Sequence, residues 1–485
     1  MTVTARTVKG IWYSSVSNII RLSIQLLVTA VLAHLIAPAE FGLFAMVVVF
    51  SNLAMILRDL GLGAAIVQKK ETDDEMLSSA FWMNVLFGAV LAVLGLAMAG
   101  PIAGFYGEAR LLRVICVLSP MYFIWSFGIV QTALLIKKLD FRRLAFIEIS
   151  SVLISGAAAV TLAFLGFGVW SLVWQAIVAA IINTAFVWLF FEWKPKPVFK
   201  PAAVKGLFGF GMPLVGFNLV NYFSRNFDNM IIGKFLGAGP LGFYDLAYKI
   251  LLFPVQNIAQ VIGRVMFPSM SLVNHDMKKV RLGYFTAVRA IALVTFPLLI
   301  WIFIMAHEII YCFFGRVWAD SVPVLRVLSL VGILQSVATI NGTVYQSLAR
   351  TGLQFKIGMI FSSVLCVSFV IGLRCGIVGV AACYAAATLI ITYPGMRIPL
   401  TLMGAGFSRL IEGLRPIAAS TAVMAGTVLF TRLLCIKFVP NEFLTLACSI
   451  AAAMISYLFF MLRLDRDFLI HIADLVKQIN SKGTA

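Results

Sequence analysis

Charge is what this 485-residue sequence has least of: only 12% of it is Asp, Glu, Lys or Arg, against about 25% in soluble domains. Acidic residues are the scarcest, 20 against 38 Lys and Arg, and histidine occurs four times. The seven cysteines (116, 312, 366, 375, 383, 435 and 448) form no CxxC pair and sit mostly in apolar sequence. They read as small buried hydrophobes rather than disulfide or metal ligands. No GxxxxGK[ST] run occurs, so no phosphate-loop nucleotide powers the protein. No HExxH, nucleophile triad or paired carboxylates of a soluble pocket stand out, and the chain reads as neither an enzyme nor a metal or cofactor protein. Period-two alternation is missing as well, which excludes a membrane β-barrel.

What is there is hydrophobic: 61% of the residues, with a mean hydropathy of +1.00. A bilayer-spanning helix needs roughly 20 apolar residues, and the long runs of this chain predict an all-α integral membrane protein. About fourteen spans fit between residues 11 and 462. Ala37-Pro38-Ala39 imitates a signal-peptidase site, but the apolar stretch before it is too long and carries Arg21, so it reads as an uncleaved first span. The Pro- and Lys-rich segment 193–205 is the one linker. It divides an N-terminal lobe, 1–192, from a C-terminal lobe, 206–400, and 401–485 adds two spans and a tail. With the N-terminus in the cytoplasm, inner loops and tails hold 24 Lys and Arg and outer loops hold 7. That asymmetry predicts a multi-pass protein of a bacterial inner membrane with both termini inside. The net charge of +18 lies mostly in these loops, with no aromatic-interleaved basic domain, and does not point to nucleic acid.

Seven cations fall within spans: Arg21, Arg58, Arg225, Lys249, Arg264, Arg289 and Arg326. An ionisable group at membrane depth costs several kcal/mol unless it faces water, a partner or a substrate. The chain is organised around 218–268, where two long apolar helices carry polar stripes at helical spacing. Asn218, Asn221, Arg225 and Asp228 share one face of the first; Asp245, Lys249, Gln256, Gln260 and Arg264 share one face of the second. Asn18, Arg21 and Gln25 make a matching stripe in span one. A shift of 200 residues places Asn18 on Asn218, Gly42 on Gly242 and Gly63 on Gly263, the trace of an internal repeat. Plainer readings stand beside these. Arg225 with Asp228, and Asp245 with Lys249, are spaced to form ion pairs; Arg289 and Arg326 lie near span ends and can snorkel; Glu148 is placed to answer Arg143.

The run Phe227-Asp228-Asn229-Met230-Ile231-Ile232-Gly233-Lys234-Phe235-Leu236-Gly237, with Leu241-Gly242-Phe243-Tyr244, Ala247-Tyr248-Lys249 and Val261-Ile262-Gly263-Arg264-Val265-Met266-Phe267-Pro268, resembles Wzx-type polysaccharide exporters. The resembling branch is the one that includes the colanic-acid exporter, and Leu35 to Phe44 and Asp59-Leu60-Gly61-Leu62-Gly63 support the likeness. The resemblance implies the MOP superfamily fold: two six-helix lobes forming a V, plus two C-terminal helices. It implies alternating access and a cargo of undecaprenyl-diphosphate-linked oligosaccharide. As partners it implies that cargo, membrane lipids, and the polysaccharide polymerase or export machinery. It further implies a cationic cavity, which here falls on Arg21, Arg58 and Arg264 with Arg225 and Lys249 nearby, among Asn18, Gln25, Asn218, Asn221 and Gln260. Asp59 directly after Arg58 makes this chain less purely cationic there. If an H⁺ or Na⁺ gradient resets the carrier, Asp59, Asp228 and Asp245 are the deepest carboxylates. Lipid II flipping and cation-coupled drug export within the same superfamily remain open alternatives. A membrane glycosyltransferase is disfavoured because the longest outer loop is only 306–322.

Overall fold

The computed structural model describes residues 3–58, 61–69, 72–200, 225–272, 275–348, 350–438 and 441–470, with 215, 219, 222, 223 and 474; residues 3–16, 253, 256–269, 271 and 272 are described as backbone only. Among the described residues the chain is helical and has no strand. In order come α1 (Val3–Leu35), α2 (Pro38–Arg58), α3 (Leu62–Gln68), α4 (Asp74–Tyr106), α5 (Arg110–Leu118), α6 (Pro120–Ser126), α7 (Ile129–Lys137), α8 (Phe141–Phe164) and α9 (Val169–Phe190). A helical stretch at 225–236 is α10. Then follow α11 (Ala238–Leu272), α12 (Met277–Ile304), α13 (Ala306–Phe313), α14 (Ser321–Ala338), α15 (Asn341–Ser347), α16 (Thr351–Gly372), α17 (Gly376–Leu402), α18 (Phe407–Phe438) and α19 (Glu442–Leu464). Among the described residues, ten stretches are long and apolar enough to cross a membrane, or eleven if the bent segment α5–α7 is one span. The stretch Thr351–Leu402 contains both α16 and α17.

Three predicted spans are not continuous helices, and the backbone says why. Span two is interrupted at Gly61, between α2 and α3, whose φ of 73° is left-handed and off the helical path. Span four is cut at Pro120, which has no N–H to continue the preceding turn, and bends by 44° between Ser126 and Ile129. Span ten parts at Thr339-Ile340 into α14 and α15. The expected outer loop 306–322 is also largely helical, as α13 and a short 3₁₀ turn, Arg316–Trp318.

The chain divides into two compact units, Met1–Gly242 and Phe243–Ser481. In a bilayer, burying apolar surface gives little drive between helices, so close packing through small residues carries more of the load. The first unit relies on this. A Cβ on Gly88 would lie 2.6 Å from Ser126 Cβ, one on Gly95 would lie 2.5 Å from Ser119 Oγ, and one on Gly156 would lie 2.7 Å from a methyl of Val28. These contacts seat α4 on α5 and α6, and α8 on α1. An apolar cluster containing Leu62, Ile66, Phe81, Leu135, Ile147 and Val187 joins α3, α4, α7, α8 and α9. Edge-on contacts of Phe81 with Phe127 and Trp188 extend it. The start of the predicted linker is held to this unit: Lys196 N–H donates to Ser78 Oγ (3.0 Å), Lys200 N–H to Ser79 Oγ (2.9 Å), and Trp82 Nε1 donates to the Lys196 carbonyl (2.9 Å). Lys196 also pairs with Asp74 at 2.7 Å. The remainder of that linker lies outside the described residues.

The Gly42–Gly242 pair from the sequence repeat has a physical counterpart. A Cβ on Gly42 would collide with the Ala238 carbonyl, and one on Gly242 would collide with the Pro38 carbonyl. The same 200-residue shift carries Pro38 to Ala238, so each half of the contact maps onto the other. The first turns of α2 and α11 touch backbone to backbone, which only glycine permits.

The second unit packs α12, α14, α17 and α18 around Tyr284, Val288, Ile291, Ile340, Val344 and Leu400. Asn341 ties three helices, accepting from Tyr284 Oη (2.9 Å) and donating to the Gly395 carbonyl (3.1 Å). Two polar contacts fix α19 to α12: Trp301 Nε1 donates to Ser449 Oγ (3.1 Å), and Tyr457 Oη donates to the Leu293 carbonyl (2.7 Å).

Candidate functional site

The first unit holds a cavity of about 680 Å³ walled by the end of α2, α3, α6, α7, α8 and α9. Its lining residues include Arg58 and Gly63, on either side of Gly61, and Gly128 at the break between α6 and α7. Irregular backbone at membrane depth is tolerated where it lines a polar cavity. Its polar side chains are Arg58, Gln68, Thr132, Glu148 and Asn183, with the Trp125 indole on the wall. The Arg58 guanidinium carbon stands 5.0 Å from the centre of the Trp125 ring, within range of a cation–π attraction. Its Nη1 also points at Met55 Sδ, 3.6 Å away. The Trp125 N–H is buried and has no hydrogen-bond partner among the described residues.

Arg21 approaches the same group of side chains from α1. Its Nη2 donates to Asn18 Oδ1 at 2.7 Å, and its Nε lies 3.9 Å from Glu148 Oε2. That ion pair is too long to be a hydrogen bond. Both side chains keep about a third of their surface open, 33% and 38%. Arg58 and Glu148 thus line one cavity, and Arg21 stands beside Glu148. Such a site suits an anion with several oxygens, because guanidinium forks match phosphate geometry bidentately.

Of the residues predicted for the site, the structure brings Asn18, Arg21 and Arg58 to this region. Gln25, one turn along α1 from Arg21, is exposed. Asn218, Asn221 and Asp59 lie outside the described residues, and Gln260 and Arg264 belong to the part of α11 described as backbone only. Arg225 is exposed on α10. Asp228 is 2% exposed, and its Oδ1 accepts from the Asn229 N–H at 2.8 Å. Asp245 and Lys249 do pair, at 2.6 Å across one helical turn of α11.

The structure corrects two of the plainer readings. Glu148 does not answer Arg143, which pairs with Asp140 at 3.3 Å instead; it turns to Arg21. Helical phase explains this: Glu148 lies five residues beyond Arg143, about 140° around α8. Arg289 does not merely snorkel, because it binds Asp465 and stacks 3.8 Å from the Phe468 ring centre. Sequence reasoning missed Trp125, Thr132 and Asn183 as cavity residues. Asn183, a polar side chain in the apolar run of span six, was the available signal.

Comparison with known proteins fits this geometry. A profile described as "Polysaccharide biosynthesis protein" matches residues 31–323, more than half of the chain. The chain belongs to the polysaccharide biosynthesis protein family. It is 31% identical to the teichuronic acid biosynthesis protein TuaB of Bacillus subtilis (strain 168) over 355 residues, 73% of this chain and 74% of the relative. It is 28% identical to the lipopolysaccharide biosynthesis protein WzxC of Escherichia coli (strain K12) over 378 residues, 77% of this chain and 76% of the relative. Among solved structures, the lipid II flippase MurJ in an inward closed conformation superposes with a TM-score of 0.74. That match has 15% identity and covers 94% of this chain and 99% of the other. This last likeness is one of fold. The resemblance to Wzx-type polysaccharide exporters, read from the 227–268 stretch, is thereby borne out.

Proposed function

We propose that this family member is a flippase of the bacterial inner membrane. It carries an undecaprenyl-diphosphate-linked oligosaccharide repeat unit from the cytoplasmic to the extracytoplasmic leaflet for exopolysaccharide or lipopolysaccharide assembly. The names of its relatives support the pathway: one serves lipopolysaccharide and one teichuronic acid biosynthesis, and a more distant one is a probable glycan biosynthesis flippase. In this reading fourteen helices form two six-helix lobes and a C-terminal pair, both termini are cytoplasmic, and the lobes alternate access as carriers rather than catalysts. Transporters built from internal repeats of this kind place the substrate between the halves and rock them.

The observation that carries the proposal is the cavity beside Arg58 and Arg21 on broken helices. A diphosphate brings several charged oxygens, and each charge-assisted hydrogen bond to them contributes about 1.5–3 kcal/mol. Arg58 supplies one guanidinium backed by Trp125 and Arg21 a second; Arg264 is assigned the same task on α11. The oligosaccharide lies in the polar interior, and the polyprenyl tail stays in lipid. Polymer export by Arg21→Ala, Arg58→Ala and Arg264→Ala, normalised to protein in the membrane, tests this reading. Each loss should reduce export per molecule about ten- to hundredfold, and Arg→Lys should restore it only in part because the planar fork is lost. Normal export per molecule in all three would remove the cationic cavity from the mechanism. Lipid-linked intermediates accumulating in a deletion strain would identify the cargo by mass spectrometry.

A further inference from the structure

We propose that Cys435 and Cys448 form a disulfide that ties the outer end of α18 to α19, made by exchange with a small or protein disulfide on the extracytoplasmic side. The inference rests on the outer placement of the α18–α19 turn in the reading above and adds a covalent bond to it. It also sets these two cysteines apart from the small buried hydrophobes that the spacing of the seven suggested.

The argument begins with the hairpin. α18 runs to Phe438 and α19 starts at Glu442, so the connection is short and the two helices are antiparallel neighbours. The side chain of Asn441 fixes the start of α19 by accepting from the N–H groups of Phe443 and Leu444 at 3.0 and 3.3 Å. The two helices pack on each other, and small or hydroxylated side chains are buried on both: Ser420 and Thr421 on α18, Thr445, Ser449 and Ala453 on α19. Such residues let helix backbones approach closely, as a disulfide requires, its Cα atoms lying about 4.4–6.8 Å apart. Cys435 sits in the last turn of α18 and Cys448 in the second turn of α19. Thr445 and Cys448 are three residues apart and share a face of α19, and the Cys435 thiol interacts with both side chains. Both cysteines are free and partly exposed, so an oxidant can reach them. Cys312, on α13, is placed differently: its Sγ lies 4.0 Å from Glu442 Oε2, and a carboxylate at that position opposes the thiolate that exchange needs.

The chemistry balances as thiol–disulfide exchange. The thiolate of one cysteine attacks a sulfur of the oxidant RS–SR, forming a mixed disulfide and releasing one RSH. The thiolate of the second cysteine then attacks the protein sulfur of that mixed disulfide, forming the Cys435–Cys448 bond and releasing the second RSH. The two protein thiols lose two electrons to the oxidant, and their two protons leave on the two RSH molecules. The bond adds to two ion pairs already at work on these helices. Arg432 joins α18 to Glu308 on α13, and Asp465, just after α19, joins Arg289 on α12. Those pairs hold the C-terminal helices to the rest of their unit; the disulfide holds the two helices to each other.

The test uses the full-length protein in growing cells, quenched in acid to stop exchange, denatured in detergent and alkylated with a maleimide before and after reduction. Before reduction the parent should show two fewer alkylated cysteines than the seven in the sequence. Trypsin cuts after Arg432 and Lys437, so mass spectrometry should find peptide 433–437 joined to peptide 438–463. Cys435→Ser and Cys448→Ser should each abolish the joined peptide, whereas Cys312→Ser should keep it. Placement is read separately by adding Lys437→Cys to a Cys435→Ser, Cys448→Ser background and labelling spheroplasts with a membrane-impermeant maleimide, against the background alone. Labelling at 437 with all seven thiols of the parent free would overturn the disulfide and leave the outer placement standing. A disulfide that joins either cysteine to a different partner would overturn the pairing. No labelling at 437 with all seven thiols free would overturn the outer placement and this inference with it.

Discussion

The charges of the first unit and those of the second are buried to similar depths in sequence, yet they are used differently. In the first unit Arg21 and Glu148 stand 3.9 Å apart and partly open beside a cavity. In the second, Arg432 Nε meets Glu308 Oε1 at 2.6 Å with Glu308 3% exposed, and Arg289 is held by Asp465 and the Phe468 ring. The two tight pairs link the C-terminal helices to the rest of their unit: Arg432 lies on α18 and Glu308 on α13, while Asp465 follows α19 and Arg289 sits on α12. A buried charge is thus a fastener where its partner is close and little of either side chain is exposed. It is available for a ligand where the partner is loose and a void adjoins it. Pair distance and adjoining space separate the two uses; charge and depth alone do not.

Removing a fastener should have the largest effect. Arg432→Ala leaves the Glu308 carboxylate buried without its counter-charge, a loss of about 3–5 kcal/mol. Purified protein should unfold at lower temperature and membrane abundance should fall, while export per surviving molecule stays normal. Replacing both partners, Arg432→Leu with Glu308→Leu, should recover most of the stability, because a buried pair is worth little against apolar residues of similar volume. If Arg432→Ala instead abolished export at normal abundance, the division between fasteners and ligand groups would be wrong.

The backbone contact at Gly42 and Gly242 should come next. Gly42→Ala drives a methyl into the Ala238 carbonyl, and since backbone cannot swing aside the helix ends must part, at about 1–3 kcal/mol. Gly242→Ala should cost a similar amount against the Pro38 carbonyl. The double variant should cost less than the sum, because the first methyl has already separated the surfaces the second would strain. Thermal unfolding of the three variants measures this coupling, and simple additivity would mean that the two glycines do not share one contact.

The smallest effect is expected at Lys249. Its pair with Asp245 is short, 2.6 Å, but half the lysine side chain is exposed, and such i,i+4 pairs contribute about 0.3–0.5 kcal/mol. Lys249→Met should barely shift the unfolding temperature. A large loss of stability would place Lys249 among the fasteners, and a large loss of export at normal stability would place it with Arg21 and Arg58.

Much was legible before any coordinates. Scarce charge and long apolar runs dictated an all-helical membrane protein, since backbone hydrogen bonds in lipid must be satisfied within the segment. Helical spacing put Asn18 and Arg21 on one face, and the structure hydrogen-bonds them. The spacing of Asp245 and Lys249 likewise gave their pair. Glu148 shows where such reading stops. Local sequence offered Arg143 as its partner, but neighbours along a chain meet only when helical phase allows it, and Arg21 is 127 positions away.

Sequence by itself determined composition-level properties: the solvent the protein lives in, its helices, the polar face of each, and its family. Those follow from rules acting over a few turns, where side-chain direction is set by 3.6 residues per turn. Tertiary structure alone decided that the breaks at Gly61 and Gly128 flank one cavity, and that Arg58 rests on Trp125. It alone decided that Arg21 meets Glu148 loosely while Arg432 meets Glu308 tightly. These outcomes depend on which helices become neighbours and how closely small residues let them approach, and no periodicity along a single helix encodes that.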